Sequence, residues 1–212
     1  MNRTALVTAG PTKEMIDPVR FISNESSGKQ GYAIAETLQS LGAKTTLVSG
    51  PTSLAEPNVE QVIKVNSADE MLEACESSLP ADIAVCAAAV ADYKIANKEI
   101  AKIKKDGSRQ NIILEENPDI LERLSKRNHL RPKLVVGFAA ETSNLERNSD
   151  EKLNKKGCDW VLGNNVSENS IFNQDTNKIY FTSKLYSENW ELMTKKEVAK
   201  KLCQKISLHL NN

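Results

Sequence analysis

The sequence contains few of the residues that metal centres and disulfide-rich folds need. Its 212 residues include only 2 histidines and 4 cysteines, and no two cysteines have the spacing of a zinc site. Aromatic residues make up 5%, so the hydrophobic core must be mainly aliphatic. These shortages argue against a histidine or cysteine metal cluster. They predict free thiols in a reducing cytoplasm, with Cys86 as a buried one.

An excess of positive charge and long hydrophobic runs are also missing. The 28 lysines and arginines balance the 28 aspartates and glutamates, so no global positive field is available to hold a nucleic acid or an anionic membrane. No apolar run approaches the ~20 residues that span a bilayer. Residues 1–3 lead directly into a strand-like run, so we expect no secretory leader and a cytoplasmic protein.

Strand-like and helix-like segments alternate along most of the chain. This alternation predicts a doubly wound, Rossmann-like α/β fold with a mostly parallel sheet. Apolar runs predict strands at residues 4–8, 45–49, 61–65, 83–87, 134–139 and 160–163. Helical spacing, capping boxes and Pro118 predict helices at 31–42, after 67, from 118 to about 126, at 145–156 and after 194. Residues 1–212 are predicted to form one domain.

Two segments depart from this alternation. Residues 93–116 are rich in lysine and then alternate between polar and apolar side chains, and residues 177–186 also alternate. Alternation of this kind does not suit a buried parallel strand. We expect the two segments to pair as a small antiparallel appendage outside the main sheet.

In an open α/β sheet, ligands bind beyond the carboxyl ends of the strands, so the segments that follow strands are candidate ligand sites. Gly10 follows the first strand, in a turn where backbone N–H groups can approach a ligand. Residues 23–31 combine hydroxyls, glycines and a helix start that could hold phosphate. The small residues of 87–93 could admit a ring or a ribose, and Asp92 could bind a ribose hydroxyl or a metal on a phosphate. A plain helix cap and tight packing remain the alternatives.

Two common nucleotide fingerprints are absent. The chain has no GxGxxG, which counts against a standard NAD site, and residues 23–31 are not a Walker A loop because Ser23 and Gln30 occupy required positions. Two groups of lysines are candidate functional residues: the KIKK segment at 102–105, on a predicted loop, and Lys152 with Lys156, one helical turn apart, which could form a phosphate clamp. A solvated surface is the alternative for both groups.

Together, these segments resemble phosphopantothenoylcysteine synthetase, also called phosphopantothenate–cysteine ligase. The motifs are VTAGPT at 7–12, IDPVRFISN at 16–24, SSGKQG at 26–31, LVSGP at 47–51, AAAVADY at 87–93, KIKK at 102–105, NPDI at 117–120 and VGFAAET at 136–142. Their order and spacing hold from residue 4 to about residue 175. Gln30 stands where this family often has methionine, a departure that leaves the implied catalytic residues unchanged.

The resemblance implies a ligase of coenzyme A biosynthesis that joins 4'-phosphopantothenate to L-cysteine through an acyl-cytidylate, converting CTP to CMP and pyrophosphate. It implies Lys102 as the catalytic cation, Asn24 as the residue that holds the acyl-nucleotide, and Arg20 as a ligand of the substrate phosphate or a support for the loop. The remaining implied nucleotide or substrate contacts are Gly10, Ala88, Asp92, Pro118, Asp119, Ile120, Leu121, Phe138, Lys152 and Lys156. Mg²⁺ is expected on the triphosphate, with ligands that the sequence does not identify.

The resemblance also implies a homodimer in which the appendage pairs across the two-fold axis and each partner completes the other's site. The chain is expected to be the stand-alone ligase, with a separate flavin-dependent decarboxylase as a further partner. The residues alone do not choose CTP over ATP. A Rossmann-type NAD(P) reductase and a nucleotide-sensing binding module are the alternatives; neither would release pyrophosphate.

Overall fold

A computed structural model describes residues 2–166, apart from 106, 108 and 110, and residues 175–211. The strands are β1 (Arg3–Ala9), β2 (Lys13–Asp17), β3 (Arg20–Ser23), β4 (Ala43–Ser49), β5 (Gln61–Lys64), β6 (Ile83–Cys86), β7 (Tyr93–Ile95), β8 (Leu114–Glu116), β9 (Leu134–Glu141), β10 (Trp160–Asn165), β11 (Thr176–Asn177), β12 (Ile179–Ser183), β13 (Ser187–Asn189) and β14 (Met193–Thr194). The α-helices are α1 (Lys29–Ser40), α2 (Ala68–Ser77), α3 (Ile120–Ser125), α4 (Leu145–Lys156) and α5 (Lys195–Asn211).

The central sheet has 8 strands in the order β13-β12-β10-β9-β6-β1-β4-β5. The strands from β10 to β5 run parallel, and β12 and β13 continue the sheet antiparallel. From β1 the chain adds β4 and β5 on one side of the sheet, and it then adds β6, β9 and β10 on the other side. This reversal opens a crevice beyond the carboxyl ends of β1 and β6. The predicted doubly wound, mostly parallel fold is confirmed.

Helices cover both faces of the sheet. On one face α1 and α5 bury Ile34, Leu38, Leu202 and Ile206 against the strands. On the other, α2, α3 and α4 contribute the second cluster, which includes Met71. Most of the side chains in both clusters are aliphatic, as the low aromatic content predicts. Burial of this apolar area on both faces is the main stabilising term of the fold.

Side-chain caps fix where several helices begin. Ser67 Oγ accepts a hydrogen bond from the Glu70 N–H at 3.2 Å, and Thr194 Oγ1 accepts one from the Glu197 N–H at 3.2 Å. Both predicted capping boxes therefore start helices. The helix predicted from Pro118 begins two residues later, because Asp119 Oδ1 accepts from the Glu122 N–H at 2.8 Å and acts as its N-cap.

The appendage prediction is right for one segment and wrong for the other. The ends of residues 93–116 pair as the antiparallel ribbon β7–β8, outside the main sheet. Residues 177–186 do not join this ribbon, because β12 lies inside the main sheet, antiparallel to β10. Ile179, Tyr180 and Phe181 are all buried there, so consecutive side chains are covered on both faces of the sheet. A second antiparallel pair, the β2–β3 hairpin, was not predicted.

All four cysteines are free, and Cys75, Cys158 and Cys203 are buried. Within the described ranges, none of the helices combines the length and apolar character needed to cross a membrane.

Candidate functional site

Close contacts between loops form the floor of the crevice. Gly28, at the start of α1, has φ 77°, a conformation that side chains other than glycine rarely adopt. A Cβ added at Gly50 would lie 1.7 Å from the Pro11 carbonyl oxygen, so the loop after β4 can approach the loop after β1 only through a glycine. These glycines bring three loop backbones together beneath the ligand space.

The loop after β6 is held against the loop after β1. The Gly10 carbonyl accepts from the Ala89 N–H at 2.9 Å, and Thr12 Oγ1 accepts from the Ala91 N–H at 3.0 Å. Thr8 Oγ1 accepts from the Ala88 N–H at 3.2 Å. The candidate residue Gly10 therefore positions the wall of the site and lines neither of the two cavities described next.

The first cavity, of about 450 Å³, lies between the loop after β6, α3 and α4. Nine candidate residues line it: Ala88, Asp92, Pro118, Asp119, Ile120, Leu121, Phe138, Lys152 and Lys156. They come from four segments that lie between residue 88 and residue 156 of the sequence. This volume falls in the range of small-molecule sites, so the structure assembles most of the predicted nucleotide residues around one space of suitable size.

The first cavity is lined by charged side chains of both signs: Lys152, Lys155 and Lys156 of α4, and the carboxylates Asp92, Glu116, Asp119 and Glu122. Lys152 Nζ donates to the Phe138 carbonyl at 2.8 Å, and Lys156 Nζ lies 2.7 Å from Asp119 Oδ2. Burial would lower the pKa of Lys156, but hydrogen bonding and the charges of Asp119 and Glu122 outweigh it, and the pKa is raised. Burial would raise the pKa of Asp119, but Lys156 and the Glu122 N–H keep it lowered. Both groups are therefore charged at neutral pH.

Cys86 also lines the first cavity, yet it is poorly suited to nucleophilic chemistry. Burial, with smaller contributions from nearby Cys75, Cys158 and Asp119, raises the pKa of its thiol well above the usual value. The thiolate is the reactive form of cysteine, so this side chain acts as a small apolar wall. The prediction of a free thiol at this position is confirmed, but Cys86 is only partly buried because it borders the cavity.

The second cavity, of about 570 Å³, lies beside the first and shares part of its wall. Ala88, Asp92, Phe138 and Lys152 line both. Asn24 lines the second cavity, and its Nδ2 donates to the Ala89 carbonyl at 2.9 Å, which ties the end of the hairpin to the loop after β6. Two ligands held in these cavities would meet at the shared wall.

The far side of the second cavity joins the predicted 23–31 segment to residues that the sequence did not reveal. Lys29 and Gln30 belong to that segment, and Asn177 and Lys195 are the additional residues that line the cavity. Gln30 Nε2 donates to the Lys195 carbonyl at 3.0 Å, and Asn177 Nδ2 donates to Gln30 Oε1 at 3.2 Å. These contacts join the start of α1 to the start of α5. No local signal could have found them, because 165 residues separate the partners.

Positive charge is concentrated at this far side. Lys29 Nζ lies 2.7 Å from Asp175 Oδ1, while Lys195 has no ion pair among the described residues. Burial and the charge of Lys29 lower the pKa of Lys195. In the described chain no side chain caps the N-terminus of α1, and its first turn has no acidic residue. Free helix N–H groups beside two ammonium groups favour an anionic ligand.

Arg20 and Lys102 lie outside both cavities in this chain. The Arg20 guanidinium donates to Asp17 Oδ2 at 2.8 Å and to the Ile103 carbonyl at 2.9 Å, contacts that suit the predicted loop-supporting role, and its phosphate-binding role stays a prediction. Lys102 is exposed, on a segment that the β2–β3 hairpin holds.

A protein-built metal centre is not evident in the part of the chain that the structure describes, because no three histidine, cysteine, aspartate or glutamate side chains cluster there. Asp92 is the carboxylate that lines both cavities. One carboxylate at the shared wall fits an ion whose remaining ligands are phosphate and water oxygens.

The fold and the paired cavities define a Rossmann-like α/β domain with a two-part ligand crevice at the topological switch point. Residues 1–209 match the family described as DNA/pantothenate metabolism flavoprotein C-terminal domain, and the chain belongs to that family.

Named relatives and a solved structure agree with this family. The chain is 43% identical over 201 residues to the coenzyme A biosynthesis bifunctional protein CoaBC of Haemophilus influenzae, a match that covers 94% of this chain and 50% of that protein. Against the Bacillus subtilis protein of the same name it is 39% identical over 206 residues, covering 95% and 50%. The chain therefore spans about half the length of these relatives. The crystal structure of a CoaBC C-terminal domain superposes with a TM-score of 0.82 at 38% identity, covering 99% of this chain and 96% of that one.

Proposed function

We propose that the chain is a phosphopantothenate–cysteine ligase of coenzyme A biosynthesis, acting on 4'-phosphopantothenate, L-cysteine and CTP. The observation that carries this proposal is the pair of cavities with a common wall. Membership of the family supports it, since the relatives are named for coenzyme A biosynthesis. A nucleotide in the first cavity and an anionic substrate in the second would place their reactive ends together at Ala88 and Phe138.

The proposed chemistry has two steps. The carboxylate of phosphopantothenate attacks the α-phosphorus of CTP, forming an acyl–phosphate bond as pyrophosphate leaves. The cysteine amine then attacks the acyl carbon, the amide forms and CMP leaves. The protein must offset the charge of the triphosphate, hold the reactants in line and keep water from the anhydride. Adjoining cavities with a common wall suit the transfer between the steps.

The first cavity is the proposed nucleotide site. Lys152 and Lys156 reach it from one face of α4 and would bind the triphosphate, and Phe138 offers an apolar contact for the base. The Asp119 carboxylate holds the Lys156 ammonium in place until phosphate oxygens compete for it. Asp92 is placed to accept from a ribose hydroxyl. Mg²⁺ would supply further charge neutralisation on the phosphates, held beside Asp92.

The second cavity is the proposed phosphopantothenate site, with the phosphate at the start of α1. Replacing Lys195 with alanine is expected to raise KM for 4'-phosphopantothenate roughly tenfold, equivalent to ~1.4 kcal/mol, because a half-buried ammonium would no longer face the phosphate. KM for CTP should stay unchanged. Steady-state kinetics with each substrate varied measures both. Lys196→Ala is the matched control, because Lys196 is exposed and lines neither cavity. Equal KM values for the two variants would contradict this assignment.

Pyrophosphate release tests the proposed function directly. The chain should release pyrophosphate from CTP only when 4'-phosphopantothenate is present, and should form phosphopantothenoylcysteine when cysteine is added. Running the assay with CTP, ATP and no nucleotide reports the base preference. Nucleotide binding without pyrophosphate, or NADPH turnover, would contradict a ligase and favour a binding module or a reductase.

The proposed enzyme is a cytoplasmic homodimer whose β2–β3 and β7–β8 ribbons contact the partner. Several large apolar side chains on and between these ribbons are exposed in the single chain, among them Phe21, Tyr93, Ile100 and Ile113. Exposed apolar surface on a two-stranded ribbon favours pairing with another surface. A dimer would also bring one chain's Lys102 towards its partner, where a cation is needed.

A further inference from the structure

We propose that Asp17 is the positioning residue of the lysine segment 102–105, which it and Arg20 clamp to the β2–β3 hairpin. The hydrogen bonds of this clamp are present in the structure whatever reaction the chain catalyses. The catalytic consequence of the clamp rests on the proposed function, because only there does Lys102 act on the reacting phosphate. Neither the motif resemblance nor the cavities assign a role to this carboxylate.

The Asp17 carboxylate accepts hydrogen bonds from both sides of the clamp. Oδ1 accepts from the backbone N–H groups of Val19 and Arg20, each at 2.9 Å. Oδ2 accepts from Arg20 Nε at 2.8 Å, from Arg20 Nη2, and from the Ile103 N–H at 3.2 Å. The same Arg20 Nη2 donates to the Ile103 carbonyl at 2.9 Å. Both backbone polar groups of Ile103, the residue after Lys102, are thus held by one ion pair.

A second contact holds the chain on the hairpin just before the lysine segment. The Glu99 N–H donates to the Ile16 carbonyl at 3.0 Å, one residue before Asp17. Among residues 102–105 only Ile103 is partly buried, whereas Lys102, Lys104 and Lys105 are exposed. The backbone is therefore held at Ile103, between lysine side chains that are exposed.

The clamp depends on a carboxylate and would fail with an amide. The Asp17 side chain is 0% exposed, and Arg20 together with the backbone donors lowers its pKa, so it remains charged at neutral pH. Asparagine has one acceptor oxygen, so the donors that now share two oxygens could not all be satisfied. Its NH₂ group would also face an N–H or guanidinium donor, an arrangement that costs free energy in a buried place.

Limited trypsin digestion of the native protein tests the clamp. Trypsin cleaves after lysine, and cleavage of the Lys102–Ile103 bond requires the backbone to leave the hairpin. In Asp17→Asn, we expect this bond to be cut roughly tenfold faster than in the wild type, as followed by mass spectrometry of the fragments. Arg20→Lys should also be cleaved faster at this bond than the wild type. This variant keeps the positive charge on a half-exposed side chain, so it still tests the clamp if Asp17→Asn does not fold.

The matched control is Glu14→Gln, a second buried carboxylate on β2. Glu14 is 4% exposed and accepts from the Ala68 N–H at 3.0 Å, so its substitution disturbs the same strand without touching Ile103. A cleavage rate in Asp17→Asn equal to that of Glu14→Gln would overturn the clamp. Faster cleavage in Asp17→Asn alone supports it, whether or not the chain proves to be a ligase.

Kinetics then test the consequence for Lys102. In Asp17→Asn, kcat for pyrophosphate release should fall about 30-fold while KM for CTP changes less than about threefold, since the cavity that binds the nucleotide is untouched. A general loss of structure would move both constants and would also appear in Glu14→Gln. Faster cleavage with an unchanged kcat would overturn the positioning role. Absence of pyrophosphate from the wild type would instead count against the proposed function, and the digestion would still decide the clamp.

Discussion

Replacing Lys102 with glutamine should lower the rate of pyrophosphate formation by about 10²–10³-fold. In the proposed reaction, negative charge builds on the α-phosphate as the carboxylate attacks, and a cation placed there stabilises the transition state. Removal of one such stabilising group costs roughly 3–4 kcal/mol in comparable acyl-transfer sites. Glutamine keeps much of the length and hydrogen-bonding capacity of the side chain but not its charge. Quenched single-turnover reactions should contain no acyl-cytidylate by mass spectrometry.

The matched control for this substitution is Lys104→Gln. Lys104 is also exposed and lies on the same clamped segment, on the other side of Ile103. If charge at position 102 is what matters, the Lys104 variant should retain most of its pyrophosphate release. Equal losses in the two variants would point to the general charge of the segment and contradict a specific role for Lys102.

The position of Lys102 also tests the proposed dimer. Because Lys102 lines neither cavity of its own chain, the partner's cavity is its proposed site of action. Mixing inactive Lys102→Gln chains with inactive Lys156→Ala chains should then restore up to about a quarter of the activity per site, through hybrid dimers with one intact site. Activity would not recover if each chain used its own Lys102. A monomer in sedimentation experiments would also contradict the proposed dimer.

The main sheet was predictable because its signals are local. Apolar runs and capping boxes identify β1, β6 and α2 without knowledge of tertiary contacts. The β2–β3 hairpin was missed for a physical reason: Glu14 and Asp17 look like surface residues, yet both are buried, and each accepts a hydrogen bond from a backbone N–H group distant in sequence, that of Ala68 or Ile103. A contact between such distant residues has no local signature.

Some residues of the candidate site could be predicted from the sequence, and others could not. The switch-point rule leads from the sequence to Asp92, in the loop after β6, whereas Phe138 was indicated by the family resemblance alone; the structure places both at the cavities. Lys195 and Asn177 could not be found, since their position depends on how α5 packs against α1. The prediction for residues 177–186 was wrong because polar residues at the two ends of this range suggested an alternating, exposed strand. The strand within the range is Ile179–Ser183, and it is mostly buried.

Replacing Asn24 with aspartate should leave the first step largely intact and slow the second by roughly 10²-fold. Asn24 Nδ2 donates to the Ala89 carbonyl at 2.9 Å, on the loop that forms the wall between the two cavities. A carboxylate keeps the shape but has no donor, so two acceptor oxygens would face each other and the wall would shift. Its negative charge would also repel the phosphate of the acyl-nucleotide.

The expected signature of the Asn24 variant is an intermediate that accumulates. Pyrophosphate should appear at nearly the wild-type rate in a single turnover, and acyl-cytidylate should be trapped by mass spectrometry after cysteine is added. Asn24→Ala is the control: it removes the same donor without adding charge, so it should accumulate less intermediate. Because Asn24 is exposed, thermal stability should change little in either variant. The assigned role is wrong if the aspartate variant traps nothing while Lys102→Gln does, or if activity falls only in proportion to lost stability.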